Sequence, residues 1–76
     1  MKITIKQNGL KHTLDLRNVN NVSCEFGSCY IAFDNEDKRL EFTNEIMSKG
    51  FILIGVMRNK LGYILYIGKC DLIIEI

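Results

Sequence analysis

A single histidine, His12, is the side chain of this sequence best suited to acid–base chemistry. An imidazole titrates near neutral pH, so a histidine can act as a general base when a nucleophile lies within hydrogen-bonding reach. In the hairpin predicted for the first seventeen residues, His12 points toward the apolar face beside Ile5, and no nucleophile can be placed next to it. We therefore expect a half-buried histidine bonded to a backbone carbonyl, and we predict that the protein is not an enzyme.

The three cysteines, Cys24, Cys29 and Cys70, form the second group that could do chemistry. With His12 they could make a Cys3His zinc site, but structural zinc sites usually show two close pairs of ligands and this chain has one. Cys24 and Cys29 could also form a disulfide under oxidation, as cross-strand neighbours. Because the first twelve residues lack the apolar segment of an export signal, we expect a cytoplasmic protein with free, buried thiols. We predict no metal and no cofactor.

The acidic run Asp34-x-Glu36-Asp37 is a third cluster, and it could hold a cation. It lacks the alternating oxygen ligands, the glycine and the distal bidentate glutamate of a calcium loop. Carboxylates in the first turn of a helix interact favourably with the helix dipole. The start of a helix therefore explains these residues without a bound ion.

Four basic side chains, Lys2, Lys6, Lys11 and Arg17, are predicted to share the outer face of the first hairpin. Phosphate groups could relieve the repulsion between Lys6 and Lys11, which would lie opposite each other. However, the net charge is only +1, and this face has no aromatic side chain on which a base could stack. We prefer an ordinary solvated face and keep a small nucleic-acid-binding regulator as an alternative.

The first hairpin is predicted from Asn8-Gly9, a pair that suits a two-residue turn with positive φ at both positions. The turn fixes the register, so Gln7 lies opposite Leu10 and Lys2 lies opposite Asp15. The face directed to the core then carries His12 and a set of apolar side chains: Met1, Ile3, Ile5, Leu10, Leu14 and Leu16.

A second hairpin, over residues 22–33, turns at Gly27 and places Cys24 opposite Cys29, although a bulged turn would shift this register by one. A helix is predicted over 36–49, with an N-cap at Asp34-Asn35 and Gly50 beyond its end. Its apolar side chains at helical spacing are Leu40, Thr43, Ile46 and Met47, with Phe42 on the flank. The alternative is a strand over 39–42 followed by a short helix over 43–49.

The C-terminal third is unusually apolar and is predicted to form three strands, over 51–57, 63–67 and 70–76. A tight turn at Gly68-Lys69 would pair the last two strands, with Ile67 opposite Cys70 and Leu65 opposite Leu72. We therefore predict one α+β domain over residues 1–76, with six or seven antiparallel strands in a sandwich or half-barrel and one helix, in the order ββββαβββ.

These last strands are apolar on both faces, and a small chain has few elements with which to cover them. We predict a non-enzymatic interaction protein that acts by surface contact and forms a homodimer. The predicted contact surface contains Ile64, Tyr66, Ile73 and the terminal Ile76. Small size, a low-GC residue composition and the absence of catalytic motifs suggest a phage or mobile-element inhibitor of a host defence nuclease or nucleoprotein complex, in the manner of an anti-CRISPR protein.

Two further interpretations remain open at this point. In one, the domain is fully compact, with the helix covering one face of a sheet and the first hairpin covering the other. In the other, an oligomer sequesters a small ligand between walls formed by Tyr30, Tyr63 and Tyr66. No segment approaches the eighteen or so apolar residues of a membrane span, so we expect no contact with a membrane.

Overall fold

The computed structural model describes residues 2–25 and 27–75, which form seven strands and one helix in the order ββββαβββ. This arrangement confirms the predicted α+β class. Met1 and Ile76, which were assigned to the inner face and to the terminal edge, lie outside the described residues. The elements are β1 (Lys2–Gln7), β2 (Leu10–Asp15), β3 (Val19–Glu25), β4 (Ser28–Phe33), α1 (Glu36–Ser48), β5 (Leu53–Asn59), β6 (Gly62–Ile67) and β7 (Asp71–Glu75).

The strands form two antiparallel sheets, one with the order β2-β1-β7 and one with the order β3-β4-β6-β5. Both predicted hairpins are confirmed in register, with Gln7 opposite Leu10 and Cys24 opposite Cys29. Asn8 and Gly9 have φ values of 50° and 82°, the conformation for which the Asn-Gly pair was expected. The unshifted register therefore holds for the second hairpin.

The predicted pairing of the last two strands is wrong, because β7 pairs with β1 and not with β6. Ile67 lies opposite Cys29 of β4 on one side and Leu53 of β5 on the other, so both edges of β6 are already filled. The chain after β6 therefore leaves the four-stranded sheet, and β7 joins the other sheet with Leu72 opposite Ile5.

Helix α1 begins as predicted and ends one residue earlier, and the alternative strand over 39–42 is wrong. The side chain of Asn35 accepts a hydrogen bond from the Lys38 amide at 3.2 Å, which caps the helix start. Gly50, with φ of 95°, terminates the helix and its N–H bonds to the Met47 carbonyl at 3.0 Å.

One core lies between the two sheets and the helix, on the inner face of the four-stranded sheet. The compact interpretation, with helix and hairpin on opposite faces of one sheet, is therefore corrected: both cover the same face. The outer face of the four-stranded sheet carries the half-buried Tyr30 and Tyr66. The buried core residues are Ile5, Cys29, Ile31, Phe33, Phe42, Ile46, Phe51, Leu65, Ile67 and Cys70.

A buried glutamine fixes the start of β5 to the first sheet. Gln7 is 3% exposed, and its amide donates to the Ile52 carbonyl at 3.0 Å and accepts from the Ile52 N–H at 2.6 Å. The Ile52 carbonyl also accepts from the Gly68 N–H at 2.9 Å. A Cβ at Gly68 would lie 3.1 Å from that carbonyl oxygen, so the close approach of the two segments favours glycine.

Candidate interaction surface

Strand β5 forms one edge of the four-stranded sheet, and within the described residues it pairs with β6 alone. The two-residue turn after Asn59 makes Asn59 and Gly62 a hydrogen-bonded pair, and pairs alternate along an antiparallel ladder. The backbone N–H and C=O groups of Val56 and Arg58 therefore point away from β6. They form an open edge that another strand could extend.

Exposed apolar side chains border this open edge. Of the nine large hydrophobic side chains that are exposed among the described residues, six lie on β5, just before it or on α1. We call these six residues the edge patch: Leu40, Met47, Ile52, Ile54, Val56 and Met57, with exposed fractions of 48%, 58%, 59%, 63%, 54% and 46%. An apolar cluster of this kind on a protein surface typically marks a contact site.

The helix contributes to the edge patch because some of its apolar side chains lie outside the face that packs on the core. Phe42 and Ile46 are buried, whereas Leu40 and Met47, which share the helical spacing of the apolar side chains, are exposed. Glu45 and Lys49 occupy the opposite flank of α1, where they contact His12 of β2. Leu40 and Met47 therefore lie on the flank of the helix that is turned away from β2.

Few devices protect the edge of β5 from other strands. Its sequence LIGVMRN has no proline, and Arg58 is its one charged residue. The guanidinium of Arg58 lies 5.0 Å from the ring centre of Tyr63, so the charge is held against the domain itself. The register shifts between Leu53 and Gly55, which leaves Gly55 to Asn59 as a regular segment.

The contact surface predicted from the sequence does not exist as one surface. Ile64 is 1% exposed, because it lies in the central strand β6 between Ala32 and Met57. Tyr66 is half-buried, while Ile73 is 41% exposed on the other sheet, and Ile76 lies outside the described residues. The residues that sequence reasoning missed are those of β5, whose apolar run resembles a core strand.

The predicted nucleic-acid surface is assembled but nearly neutral. Lys2, Lys6 and Lys11 share the outer face of the three-stranded sheet, as the register requires, and Arg17 is exposed just beyond the end of β2. The unexpected pairing of β7 places one carboxylate opposite Lys6 and another opposite Lys2, and a third lies 3.9 Å from the Arg17 guanidinium. These three acidic residues are Asp71, Glu75 and Asp15. Four positive and three negative charges in this region give little attraction for phosphate.

His12 is more buried than predicted, at 4% exposure, and its partner is not a backbone carbonyl. The Lys49 ammonium lies 2.7 Å from Nδ1, and a carboxylate oxygen of Glu45 lies 3.8 Å from Nε2. Burial and the Lys49 charge lower the pKa of His12, and Glu45 opposes them. Because the ammonium donates to Nδ1, the neutral ring carries its proton on Nε2. His12 thus links β2 to the end of α1.

The expectation of three free thiols is wrong for two of them. Cys24 and Cys29 are joined by a disulfide, as the directly opposed register allows, and Cys70 is a buried free thiol. Burial, followed by the charge of Asp71, raises the pKa of Cys70. The disulfide occupies two of the four residues considered as zinc ligands. In residues 2–25 and 27–75, no group of three or more His, Cys, Asp or Glu side chains is placed to hold a metal ion.

The three tyrosines do not form a shared ligand wall. Tyr30 and Tyr66 pack together with ring centres 5.7 Å apart on the outer face of the four-stranded sheet. Tyr66 donates to the Met57 sulfur at 3.3 Å, while Asn21 donates to the Tyr30 hydroxyl at 3.2 Å. Tyr63 lies opposite the core residue Phe33, on the other face of the sheet. The aromatic rings therefore complete the packing of two separate faces.

Among the described residues, no helix has the length and apolar character needed to cross a membrane. No protein-family model matches the chain, and no curated protein or solved structure is detectably similar to it.

Proposed function

We propose that this protein is a small non-enzymatic interaction protein that acts by surface contact through the edge patch. The observation that carries the proposal is the open edge of β5, bordered by exposed apolar side chains on the strand and on the helix. In strand addition, backbone hydrogen bonds supply affinity and the flanking side chains supply specificity. The edge patch offers both, since Val56 and Arg58 present free backbone groups next to apolar surface.

Hydrophobic burial makes this surface the best binding site available on the described residues. Each Å² of apolar surface removed from water contributes about 25 cal/mol. Four of the exposed side chains, Ile54, Val56, Leu40 and Met47, are about half exposed or more. A partner that covers them gains hydrophobic energy, which the basic face of the first hairpin does not offer.

The narrower hypothesis concerns the identity of the partner. A host defence nuclease or nucleoprotein complex, inhibited by a phage or mobile-element protein, stays a prediction supported by the small size and low-GC composition of the chain. A nucleic-acid regulator is less favoured because the basic face is balanced by Asp15, Asp71 and Glu75. Ligand sequestration is less favoured because Tyr63 lies on a different face from Tyr30 and Tyr66.

A pair of matched variants tests the proposal. Val56→Lys places a charge on the open edge, and Ile73→Lys places the same charge on a similarly exposed residue of the other sheet. Wild type and both variants are used as bait in extracts of the native host, and captured proteins are quantified by mass spectrometry. We expect proteins captured by wild type and by Ile73→Lys to be lost with Val56→Lys.

The comparison between baits, and not capture itself, decides the result. Capture that is unchanged by Val56→Lys, while the variant keeps the wild-type circular dichroism spectrum, would overturn the assignment to the edge patch. Recovery of nucleic acid that depends on Lys6 and Lys11 would support the alternative. A variant pair Lys6→Glu and Lys11→Glu distinguishes that outcome, because both residues lie far from β5 in the sheet order.

A further inference from the structure

We infer that the occupant of the edge patch in the purified protein is a second copy of this chain, paired β5 to β5. The inference rests on the proposed function, because it takes the edge patch to be a contact surface. The two strands run antiparallel about a two-fold axis at Val56, and the two four-stranded sheets become one sheet of eight strands. A foreign protein that used the same edge would have to displace the second copy.

The backbone of β5 suits this register. Val56 presents its free N–H and C=O groups to the open edge, so two copies of Val56 placed opposite each other exchange two hydrogen bonds. In this register, Arg58 of each copy lies opposite Ile54 of the other copy. A two-fold axis perpendicular to the sheet leaves each side chain and its symmetry mate on the same face of the sheet. Only a register in which one residue lies opposite its own copy has such an axis. A register centred on Val56 places both free backbone groups of that residue in a hydrogen-bonded pair with its own copy.

The helices fit the same axis. The ring centres of Phe42 in α1 and Phe33 in β4 are 5.4 Å apart. Phe33 lies opposite Tyr63 of β6, and Tyr63 lies opposite Arg58 near the end of β5. The last turn of the helix meets Phe51 just before β5 begins, with a 3.2 Å bond from the Phe51 N–H to the Ile46 carbonyl. Helix and strand therefore run in opposite directions.

In the pair, both helices lie on one side of the joined sheet, and Met47 of one copy comes beside Leu40 of the other. Leu40 and Met47 are separated by about 10 Å along the helix, at about 1.5 Å per residue. Ile54 and Arg58 are separated by about 13 Å along the strand, at about 3.3 Å per residue. The two intervals are similar in length, and helix and strand run in opposite directions, so a two-fold axis brings the Met47 end of one helix toward the Leu40 end of the other.

Charge opposes the self-pairing only weakly. Each chain has a net charge of +1, and Arg58 is the one charged residue of β5. In the proposed register the two Arg58 side chains are about four residues, or about 13 Å, apart along the strands, which exceeds the screening length of about 8 Å in physiological salt. No like charges are placed opposite each other.

The extent of the edge patch favours a second copy over an extended peptide. A peptide strand added to β5 would cover Val56 and Met57 and leave Leu40 and Met47 in water. A second copy covers the strand and the helix flank together. A stable interface needs about 800 Å² from each partner, which is about a sixth of the 4887 Å² surface of this chain.

Sedimentation velocity over a range from low micromolar to several hundred micromolar tests the inference on the intact chain. We expect wild type and Ile73→Lys to shift from 8.8 kDa toward twice that mass, and Val56→Lys to remain at 8.8 kDa throughout. Circular dichroism and thermal melting check that each variant is folded. If Val56→Lys is unfolded, Met47→Glu on the helix flank takes its place with the same expected loss of dimer.

Cross-linking tests the register. Under mild oxidation, Val56→Cys is expected to form a covalent dimer, because the register places this position opposite its own copy. Ile73→Cys and the wild type, whose Cys70 is buried, serve as controls and are expected to stay monomeric on a non-reducing gel.

The outcomes separate the dimer from the proposed function. A wild type that stays at 8.8 kDa at the highest concentration overturns the dimer, while capture that depends on Val56 would still support a foreign partner at the same edge. A dimer that survives both Val56→Lys and Met47→Glu overturns its placement. If the protein dimerises through β5 but its capture of other proteins is unchanged by Val56→Lys, only the proposed function is overturned.

Discussion

The two edges of the four-stranded sheet, β3 and β5, are built in opposite ways. Along β3 the side chains are largely polar, and the Asn21 side chain accepts a hydrogen bond from the backbone N–H of Val22 at 2.9 Å. Both edge strands have a register shift, between Val19 and Asn21 in β3 and between Leu53 and Gly55 in β5. Along β5 the exposed side chains are apolar, and the backbone groups of Val56 have no such cover.

The difference indicates that the β3 edge is protected against the addition of another strand and that the β5 edge is not. A side chain that occupies an edge N–H opposes the addition of another strand, and a cross-link holds the edge strand to its neighbour. The cross-link on the β3 side is the disulfide between Cys24 and Cys29. On the β5 side the corresponding restraint is the buried amide of Gln7, which fixes the start of the strand and leaves its edge open.

The largest effect is expected from Gln7→Leu, which removes the restraint on β5. The Ile52 N–H and C=O lose the partners that the buried Gln7 amide supplies, and each lost hydrogen bond costs about 1 kcal/mol. We expect a lower free energy of unfolding in urea and weaker self-association, because the start of the strand is no longer held. Lys6→Gln on the exposed face of the same strand is the control, and equal stability of both variants would contradict the role given to Gln7.

The disulfide on the β3 side is expected to contribute somewhat less. Closing a loop with a sequence separation of 5 stabilises a protein by about 2 kcal/mol in the chain-entropy treatment. Cys24→Ser, at an exposed position, should therefore lower the free energy of unfolding by about that amount without changing the sedimentation of the dimer. A reducing agent should reproduce the loss in wild type and leave Cys24→Ser unchanged. Loss of the dimer in this variant would link the two edges and break the comparison.

Opening the protected edge should have a smaller effect on stability and an opposite effect on association. Asn21→Val removes the acceptor of the Val22 N–H and the donor to the Tyr30 hydroxyl, each a bond of about 1 kcal/mol. We expect oligomers larger than the dimer in sedimentation, because both edges of the sheet are then open. Asn20→Val, which removes a bond to the Leu61 carbonyl and leaves the Val22 N–H covered, is the control. Equal behaviour of the two variants would argue against edge protection by Asn21.

Local signals in the sequence predicted the elements that depend on neighbouring residues. Asn8-Gly9 fixed the register of the first hairpin because a two-residue turn admits one pairing. Asn35 and Gly50 marked the helix ends because capping is decided within a few residues. The alternation of apolar side chains then placed His12 on the core face correctly, although its Lys49 partner, distant in sequence, left no local signal.

The partner of β7 and the position of the contact surface could not be predicted in this way. The turn at Gly68-Lys69 suggested a local hairpin, but β6 is central and has no free edge for β7. Ile64 was therefore assigned to a surface although it lies between two strands. The open edge of β5 was not predicted, because apolar content does not distinguish a covered strand from an open edge, and the exposure of Leu40 and Met47 was not predicted for the same reason.

The smallest effect is expected from acid, through the helix flank that borders β5. Burial and Lys49 lower the pKa of His12 below its ordinary value of about 6.5, so the unfolded chain binds this proton more readily than the folded one. Stability conferred by the neutral ring is complete above the unfolded pKa and is lost as the pH falls from about 6.5 toward the folded pKa.

Unfolding in urea between pH 7.5 and 5.5, above the range in which free carboxylates titrate, should reveal this loss, and His12→Gln should remove it. Lys49 holds the end of the helix to His12, and Met47 lies in that last turn. Protonation of His12 repels Lys49, so acid should also weaken the dimer in the same pH interval. If the stability of wild type and His12→Gln fell in parallel, another group would be responsible. If stability fell and the dimer did not, the helix flank would not belong to the interface.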